Sequence, residues 1–291
     1  MPTPFEDAVI IAAGRGTRMR PSTRVVPKEF LPNFDRPLIH SAIEEAVACG
    51  ATRITVVTSD RSEPFLETYF APLDEGERGD ARLADLAAIL DRCEITWVRQ
   101  PEAKGTGNAT LYARDAGVDR PFLLMLPDMV FTGTPPGQSL AAAVTRFGGS
   151  AISVTTVGPE YYEGWGIVTG EALDPAEDGL IRMRDILEKP GSAYTAPSGA
   201  GINGRYVLTP GIYECIEQIQ REGKTVKGEV NLTDAMVILA QQEPFHAVTY
   251  DEPFYDSGHP VGYLQASVAS ALADPAQRDA VRAALAPLLE G

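Results

Sequence analysis

The first 60 residues alternate between short apolar runs and a helical pattern. Residues 8–13 form an unbroken apolar run that ends at a glycine, which predicts a fully buried strand. Residues 38–49 place apolar side chains at helical spacing, and Gly50 is suited to end that helix. Residues 53–58 are apolar and β-branched, as expected for a second buried strand. A strand, a helix and a strand in this order form a βαβ unit, which predicts a parallel sheet.

The rest of the chain continues this pattern, with shorter strands after about residue 160. Further strands are predicted at residues 95–98, 121–126, 151–157, 165–169, 181–188, 202–208 and 246–250. Helices are predicted at residues 210–221, 232–241 and 261–272, and a helix-start signal opens an Ala- and Leu-rich tail at 274–289. Residues 73–85 are charged and contain glycine, which predicts a solvated connection. Without a strong linker or an internal repeat, we expect one continuous α/β domain whose second half adds a lobe.

The chain as a whole is acidic, but one loop near its start is basic. Its 40 Asp and Glu residues outnumber 25 Lys and Arg, giving a formal net charge of -15. Between Arg15 and Lys28, however, there are five basic residues and no acidic one. The acidic surface argues against a nucleic-acid partner, because a phosphate backbone requires broad basic patches. Any bound phosphate would therefore have to be held by this local group of basic side chains.

Cysteine usage and hydropathy indicate the compartment. The three cysteines, Cys49, Cys93 and Cys215, are far apart and form no C-x-x-C pair, which suggests free thiols in a reducing compartment. The first residues lack the pattern of a signal peptide. No run approaches eighteen consecutive apolar residues, so we expect no membrane span. A cytoplasmic protein without a membrane partner is the resulting prediction.

The basic loop begins with G-R-G-T-R at residues 14–18, directly after the first predicted strand. Two glycines allow a sharp turn and bring backbone N–H groups close to a ligand oxygen. A dinucleotide fingerprint would need a third glycine where Met19 stands, and a P-loop would need G-K-[ST]. Arginine offers a forked cation and Lys28 a mobile one, so the pattern indicates a loop that wraps a triphosphate. A basic surface loop that pairs with nearby acids is the alternative.

Residues 14–32 closely resemble the signature of bacterial sugar-1-phosphate nucleotidyltransferases. The most similar pattern is that of the UTP–glucose-1-phosphate uridylyltransferases, G-x-G-T-R-x-x-P-x-T-K-x-x-P-K-E-x-L-P. Other blocks of the family match in chain order, at residues 98–100, 103–107, 126–128, 164–168, 188–190, 204–208, 228–235 and 256–258. The resemblance implies a Rossmann-like α/β fold of the GT-A type, with a mixed, mostly parallel central sheet flanked by helices and an added sugar-binding lobe. Residues 1–160 would be the nucleotide-binding half, 161–262 the sugar-phosphate-binding half and 263–291 a helical tail.

The resemblance also implies a role for each matching residue. The catalytic residues would be Arg18, Lys28, Asp128 and Lys189. The nucleotide would be bound by Ala12, Ala13, Gly14, Gly16, Thr17, Gln100 and Gly105. The sugar phosphate would be bound by Gly166, Glu188, Lys189 and Glu229. The cofactor Mg²⁺ would be held by Asp128 and Asp256.

Some of these positions suggest chemistry without the family. Gln100 ends a predicted strand, and its amide offers a donor and an acceptor that match N3–H and a carbonyl of a pyrimidine. A solvated strand end is the alternative for that residue. Asp128 follows the strand at 121–126, where ligands of open α/β sheets bind, and a carboxylate there suits Mg²⁺. Without the family resemblance, Asp128 could equally be a turn-forming residue, and Asp256 would be interpreted as part of a turn that begins a helix.

The implied reaction is attack by a sugar-1-phosphate oxygen on the α-phosphorus of a nucleoside triphosphate, with pyrophosphate leaving. UTP and glucose 1-phosphate are the favoured substrates. The alternatives are a thymidylyltransferase that uses dTTP, since thymine differs from uracil by one methyl group, and a uridylyltransferase for another sugar 1-phosphate. A non-catalytic sugar-nucleotide sensor is disfavoured because the four expected charged residues are present, and a Rossmann oxidoreductase because the loop breaks its fingerprint. The resemblance further implies a homodimer or homotetramer.

Three positions depart from the family pattern. Arg24 stands where relatives have lysine, which keeps the charge and alters its geometry. Asn203 replaces a small apolar residue before G-R-Y. Pro260 lies where relatives have lysine after the metal carboxylate. These departures leave open the exact sugar and, to a lesser degree, the base.

Overall fold

A nine-stranded mixed sheet forms the centre of the fold, which is described here from a computed structural model. The structure describes residues 3–173, 179–194, 199–226 and 228–289. The strands are β1 (Asp7–Ile11), β2 (Pro32–Asn33), β3 (Arg36–Pro37), β4 (Arg53–Thr58), β5 (Glu94–Arg99), β6 (Phe122–Met125), β7 (Met129–Phe131), β8 (Ser150–Thr156), β9 (Gly166–Ala172), β10 (Leu180–Glu188), β11 (Ala200–Leu208), β12 (Phe245–Thr249) and β13 (Phe254–Asp256). The α-helices are α1 (Leu38–Ala48), α2 (Glu63–Tyr69), α3 (Glu75–Arg78), α4 (Ala84–Arg92), α5 (Thr106–Asp115), α6 (Pro136–Phe147), α7 (Gly211–Glu222), α8 (Leu232–Ala240), α9 (Pro260–Ala273) and α10 (Arg278–Leu289).

The strand order in the central sheet is β5-β4-β1-β6-β11-β8-β12-β10-β9. The first four of these strands are parallel to one another, as the βαβ pattern predicts. In the second half, β10 and β11 run against the other seven strands. The mixed, mostly parallel sheet is thereby confirmed. Two small antiparallel pairs, β2 with β3 and β7 with β13, lie outside the central sheet.

Alternating side chains of the buried strands supply the two faces of the sheet. In β1, Val9 and Ile11 belong to a core shared with α5, α7 and α8. Ala8 and Ile10 belong to a second core shared with α1, α4 and α6. This arrangement explains why the strand is apolar at every position from Ala8 to Ile11, since strands covered on both faces by helices have no polar side.

The predicted strands and helices are present with ends within four residues of those expected. The predicted connection at 73–85 is different, because it contains helix α3 and a 3-10 turn at Ala81–Leu83. Asp74 begins α3 with a reciprocal capping box to Glu77, which stabilises this short exposed helix. In the tail, α10 lies against α9. No helix in the described part of the chain is long and apolar enough to cross a membrane.

Buried His40 makes the stability of the fold dependent on pH. Its Nδ1 lies 3.0 Å from the Tyr69 hydroxyl. Burial, together with nearby Arg36, lowers the pKa of His40 from 6.5 to about 4. As the pH falls, the unfolded chain therefore binds a proton before the folded chain does, so this stabilisation is complete above pH 6.5 and is lost toward pH 4.

We expect the His40 ionisation to lower the free energy of unfolding by about 2 kcal/mol between pH 7 and pH 5. Urea unfolding of the wild type and of His40→Gln at both pH values measures this contribution as the difference between their pH slopes. Other titrating groups, buried His246 included, are common to both proteins and cancel. Equal slopes for the two proteins would contradict the prediction.

Candidate active site

A cleft of about 1070 Å³ opens at the carboxyl ends of β1, β5 and β6. Open α/β sheets bind their ligands at this edge, because the loops that follow parallel strands converge there. Every residue assigned to the site from the sequence lines the cleft except Ala12. The lining set among those predictions is Ala13, Gly14, Gly16, Thr17, Arg18, Lys28, Gln100, Gly105, Asp128, Gly166, Glu188, Lys189, Glu229 and Asp256.

Ala12 lies beneath the cleft. Its side chain is buried, and its amide donates to the Val57 carbonyl at 2.8 Å. Ala12 therefore joins β1 to the loop. Contact between Ala12 and the nucleotide stays a prediction, and it would have to be made by the Ala12 carbonyl, because the side chain is buried and the amide is already bonded.

The basic loop folds back on itself and returns Lys28 to the cleft. Gly16 has a φ of 60°, a left-handed conformation that favours glycine. Its carbonyl accepts the Thr23 hydroxyl at 2.7 Å, which ties the start of the loop to its later part. Short 3-10 turns at Thr17–Met19, Ser22–Arg24 and Lys28–Phe30 then bring the chain around.

Lys28 and Asp128 form a buried ion pair at the floor of the cleft. Lys28 Nζ lies 2.5 Å from Asp128 Oδ2. Burial by itself would lower the pKa of Lys28, but the Asp128 carboxylate outweighs burial and the pKa is raised. Burial would raise the pKa of Asp128, but the Lys28 ammonium outweighs it and the pKa is lowered. Both side chains are therefore charged throughout the neutral pH range.

Asp128, Asp256 and Arg18 converge around Gly258. A Cβ at Gly258 would lie 2.5 Å from Arg18 Nη2, 2.8 Å from Asp256 Oδ1 and 3.1 Å from Asp128 Oδ2, so a larger residue here would displace at least one of these charged groups. Asp256 reaches this place because β13 pairs with β7, which sets Asp256 opposite Met129. The convergence brings together two carboxylates that are distant in the sequence.

The two carboxylates fit a hard divalent cation. Within the described residues, no group of three or more His, Cys, Asp or Glu side chains could hold a metal ion. The protein would thus supply one or two carboxylates and leave other positions to water and phosphate, which is how Mg²⁺ is usually bound in sites for phosphate substrates. No cysteine or histidine is found among the described residues that line the cleft, so no thiolate or imidazole nucleophile is available there.

Gln100 lies at one end of the cleft, where it is buried. Its Nε2 donates to Asn108 Oδ1 at 2.8 Å and lies 3.5 Å from the Gly105 carbonyl oxygen. With its amide nitrogen used in this way, Gln100 has an Oε1 that accepts from no other described residue and can act as an acceptor. The sequence reasoning did not include Asn108, whose position in the first turn of the helix after the glycine-containing segment is the signal that could have identified it.

Glu188 and Lys189 lie at the other end, beside Gly166. The β9–β10 register pairs Glu188 with Gly166, and a Cβ at Gly166 would lie 3.2 Å from Glu188 Oε2. Lys189 Nζ is 3.1 Å from Glu188 Oε1, and its side chain is 57% exposed. Glu229 borders the same space. This end of the cleft therefore offers carboxylate acceptors beside the exposed ammonium group of Lys189.

The three departures from the family pattern lie outside the lining of the cleft. Arg24 is exposed in the Ser22–Arg24 turn. Asn203 is fully buried in β11, whereas its neighbour Ile202 borders the cleft. Pro260 is the first residue of α9, where His259 Nδ1 accepts the Gly262 amide at 3.1 Å as the N-cap. Pro260 thus suits a helix start.

Comparison with known proteins identifies the family of the chain. The Nucleotidyl transferase family profile matches residues 7–271. A UTP–glucose-1-phosphate uridylyltransferase of Pseudomonas aeruginosa is 34% identical over 265 residues, which cover 88% of this chain and 92% of the relative. The chain belongs to the nucleotidyl transferase family. The predicted family is thereby confirmed.

Solved structures of this family have the same fold. A UTP-bound UGPase from Acinetobacter baumannii superimposes with a TM-score of 0.84 at 29% identity, covering 98% of this chain and 99% of that one. A UDP-glucose pyrophosphorylase complexed with UDP-glucose gives a TM-score of 0.80 at 30% identity, covering 90% of this chain and 97% of that one. As a nucleotidyl transferase, the chain thus has the predicted fold over nearly its whole length.

Proposed function

We propose that the protein transfers a uridylyl group from UTP to glucose 1-phosphate, giving UDP-glucose and pyrophosphate with the help of Mg²⁺. The observation that carries the proposal is the convergence of Arg18, Asp128 and Asp256 around Gly258, with Lys28 paired to Asp128, between a base-reading amide and an acidic sugar end. The names of the similar proteins, UTP–glucose-1-phosphate uridylyltransferase and UDP-glucose pyrophosphorylase, support the same pair of substrates. Residues 1–160 would hold the nucleotide and 161–262 the sugar phosphate.

The chemistry would be a direct displacement. An oxygen of glucose 1-phosphate attacks the α-phosphorus of UTP, a new P–O bond forms, and the bond between the α- and β-phosphates breaks with release of pyrophosphate. The attacking oxygen is already anionic at neutral pH, so no general base and no covalent intermediate are required. The barrier arises mainly from bringing two polyanions together in line.

The charged residues would counter this repulsion. Lys28 is held at the floor of the cleft and Arg18 above Asp256, so both face the space in which a triphosphate would lie. Lys189 would approach the sugar phosphate, and the Glu188 carboxylate would accept hydrogen bonds from sugar hydroxyl groups. When bound by Asp128 and Asp256, a divalent cation supplies further positive charge against the phosphate oxygens. The basic loop is thus needed because the rest of the acidic protein repels the substrate.

The base would be read by Gln100, whose Oε1 is available to accept N3–H of uracil. Cytosine has an acceptor at N3 and would be rejected.

We expect Gln100→Ala to lower kcat/KM for UTP by about tenfold or more and to reduce the ratio of kcat/KM for UTP to that for CTP. Steady-state kinetics with both nucleotides measure the change. Gln218→Ala, at a half-buried position of α7 outside the cleft, is the matched control, and an unchanged UTP/CTP ratio in Gln100→Ala would contradict the assignment.

A substrate panel tests the function. Pyrophosphate release with Mg²⁺ is measured for UTP, dTTP, CTP, ATP and GTP, each combined with several sugar 1-phosphates. The proposal predicts the highest kcat/KM for UTP with glucose 1-phosphate, and lower activity with dTTP, since one methyl group provides roughly 10–200-fold discrimination. A preference for dTTP or for another sugar would identify the alternative enzyme, and UTP binding without turnover would identify a sensor. A cytoplasmic location and a homodimer or homotetramer remain predictions.

A further inference from the structure

The main chain on both sides of Asp128 is held by side chains that do not line the cleft. Arg205 Nη1 donates to the Leu126 carbonyl at 2.8 Å, and its Nη2 donates to the Met129 carbonyl at 2.7 Å. Ser257 donates to the Asp128 carbonyl twice, from its hydroxyl at 2.7 Å and from its amide at 2.8 Å. Three carbonyls of this four-residue segment therefore accept hydrogen bonds from Arg205 or Ser257.

The Arg205 guanidinium is fully buried, and each of its five N–H groups has an acceptor. In addition to the two bonds to the segment, Nη1 donates to the Gly204 carbonyl at 3.1 Å. Nε and Nη2 donate to the two Glu45 oxygens at 2.8 Å and 2.6 Å. The guanidinium carbon also lies 4.6 Å from the centre of the Phe131 ring. Helix α1, strand β11 and the start of β7 are thus joined through one side chain.

Stability alone does not require such a group. Strands β6 and β11 are already paired through their main chains, and a buried ion pair can often be replaced by apolar side chains without loss of stability. What an apolar residue could not do is donate to both carbonyls that flank Asp128. Arg205 can therefore fix the backbone geometry next to the Asp128 carboxylate, because the planar fork of its guanidinium donates its hydrogen bonds in fixed directions.

Ser257 extends the same constraint to the second carboxylate. It is buried, and it immediately follows Asp256 in the chain. Its two bonds to the Asp128 carbonyl connect the Asp256 segment directly to the Asp128 segment, beyond the end of the β7–β13 pairing. These bonds hold the main chains of the two segments against each other, while Lys28 and the Gly258 amide contact the carboxylate oxygens of Asp128 and Asp256 themselves.

We propose that Arg205, with Glu45 as its counter-ion, and Ser257 are positioning residues that fix the relative placement of Asp128 and Asp256. This inference rests on the proposed function, in which those carboxylates hold the divalent cation. Outer residues that orient metal ligands typically change metal affinity by about 10–100-fold when they are replaced. Loss of the constraint should therefore reduce the benefit that the cation gives to UTP binding, in protein that remains folded.

Calorimetric titration of UTP tests the inference without turnover, because no sugar phosphate is added. The dissociation constant of UTP is measured at saturating MgCl₂ and again with EDTA. The ratio of the value in EDTA to the value in MgCl₂ reports how much the cation strengthens UTP binding. We expect Ser257→Ala to reduce this ratio about tenfold and Arg205→Lys to reduce it at least as much. The melting temperature of each variant is measured in parallel.

Arg53→Lys is the matched control for Arg205→Lys. Arg53 makes a two-pronged ion pair with Asp7, both distances being 2.7 Å, at the amino ends of β4 and β1, away from the cleft. This control should lose thermal stability and keep the wild-type ratio. If Arg205→Lys fails to fold, Ser257→Ala decides the question, since it removes only one hydroxyl group.

The outcomes separate the positioning role from the proposed function. A folded Ser257→Ala variant whose ratio stays within about twofold of the wild type would refute the positioning role and leave the function standing. Wild-type protein that binds UTP equally with MgCl₂ and EDTA would refute the use of a cation at this site, and the positioning role with it. A tenfold lower ratio in Ser257→Ala, with an unchanged ratio in Arg53→Lys, would establish it.

Discussion

Replacing Lys28 with alanine is expected to lower kcat for UDP-glucose formation by roughly 10²–10³-fold. The ammonium group is held against Asp128 at the floor of the cleft, and its raised pKa keeps it charged at all pH values near neutrality. It is therefore a preorganised cation for charge that develops on the triphosphate during transfer. Alanine removes that charge and leaves Asp128 less well paired, so a lower melting temperature with an unchanged circular dichroism spectrum should accompany the loss.

Lys104→Ala provides the control for Lys28→Ala. Lys104 lies in the matching block near the base end, but it is 56% exposed, pairs with Glu102 at 2.9 Å and does not line the cleft. We expect this variant to turn over like the wild type. Near-wild-type kcat in folded Lys28→Ala would show that the triphosphate lies elsewhere.

Asp128→Asn is the second substitution with a large expected effect, roughly 10³-fold or more on kcat at fixed Mg²⁺. Asparagine has nearly the same shape, so the main-chain bonds from Arg205 and Ser257 to this segment should remain. What changes is the anionic oxygen that would hold the cation and that pairs with Lys28. The measurement is kcat and the half-saturating Mg²⁺ concentration for both proteins.

Asp115→Asn at the exposed end of α5 removes the same charge away from the cleft and should change neither quantity. The account requires Asp128→Asn to show both a lower kcat and a higher half-saturating Mg²⁺ concentration than the wild type. A variant that lost activity but kept the wild-type Mg²⁺ dependence would place the cation on other residues.

The central sheet could be predicted because its strands bury both faces. Strand β1 is apolar at four successive positions, Ala8 to Ile11, and β4 is β-branched and apolar, so each stands out from the surrounding sequence. The pairs β2–β3 and β7–β13 were not predicted, since strands of two or three residues contain too few positions to show a period. The β7–β13 pair matters most, because it brings Asp256 to Asp128.

The charged residues of the site were predicted largely through the family pattern. Lys28 and Asp128 are separated by 100 positions, and no local property of the sequence indicates that they form an ion pair. Asn108 and Ser257 were not identified because each acts on another functional residue and was not among the residues to which the family pattern gave a role. Arg205 belongs to a matching block, yet its partners are mostly main-chain carbonyls, which leave no pattern of complementary side chains to detect.

The central claim is that this cleft joins UTP and glucose 1-phosphate by direct displacement. The most direct measurement is ³¹P nuclear magnetic resonance of wild-type protein with UTP, glucose 1-phosphate and Mg²⁺, with Lys28→Ala as the blank. The account predicts that UDP-glucose and pyrophosphate appear in equal amounts as both substrates disappear, and that the blank stays unchanged over the same period. UTP and glucose 1-phosphate resonances that persist with the wild type, or equal product formation by Lys28→Ala, would contradict it.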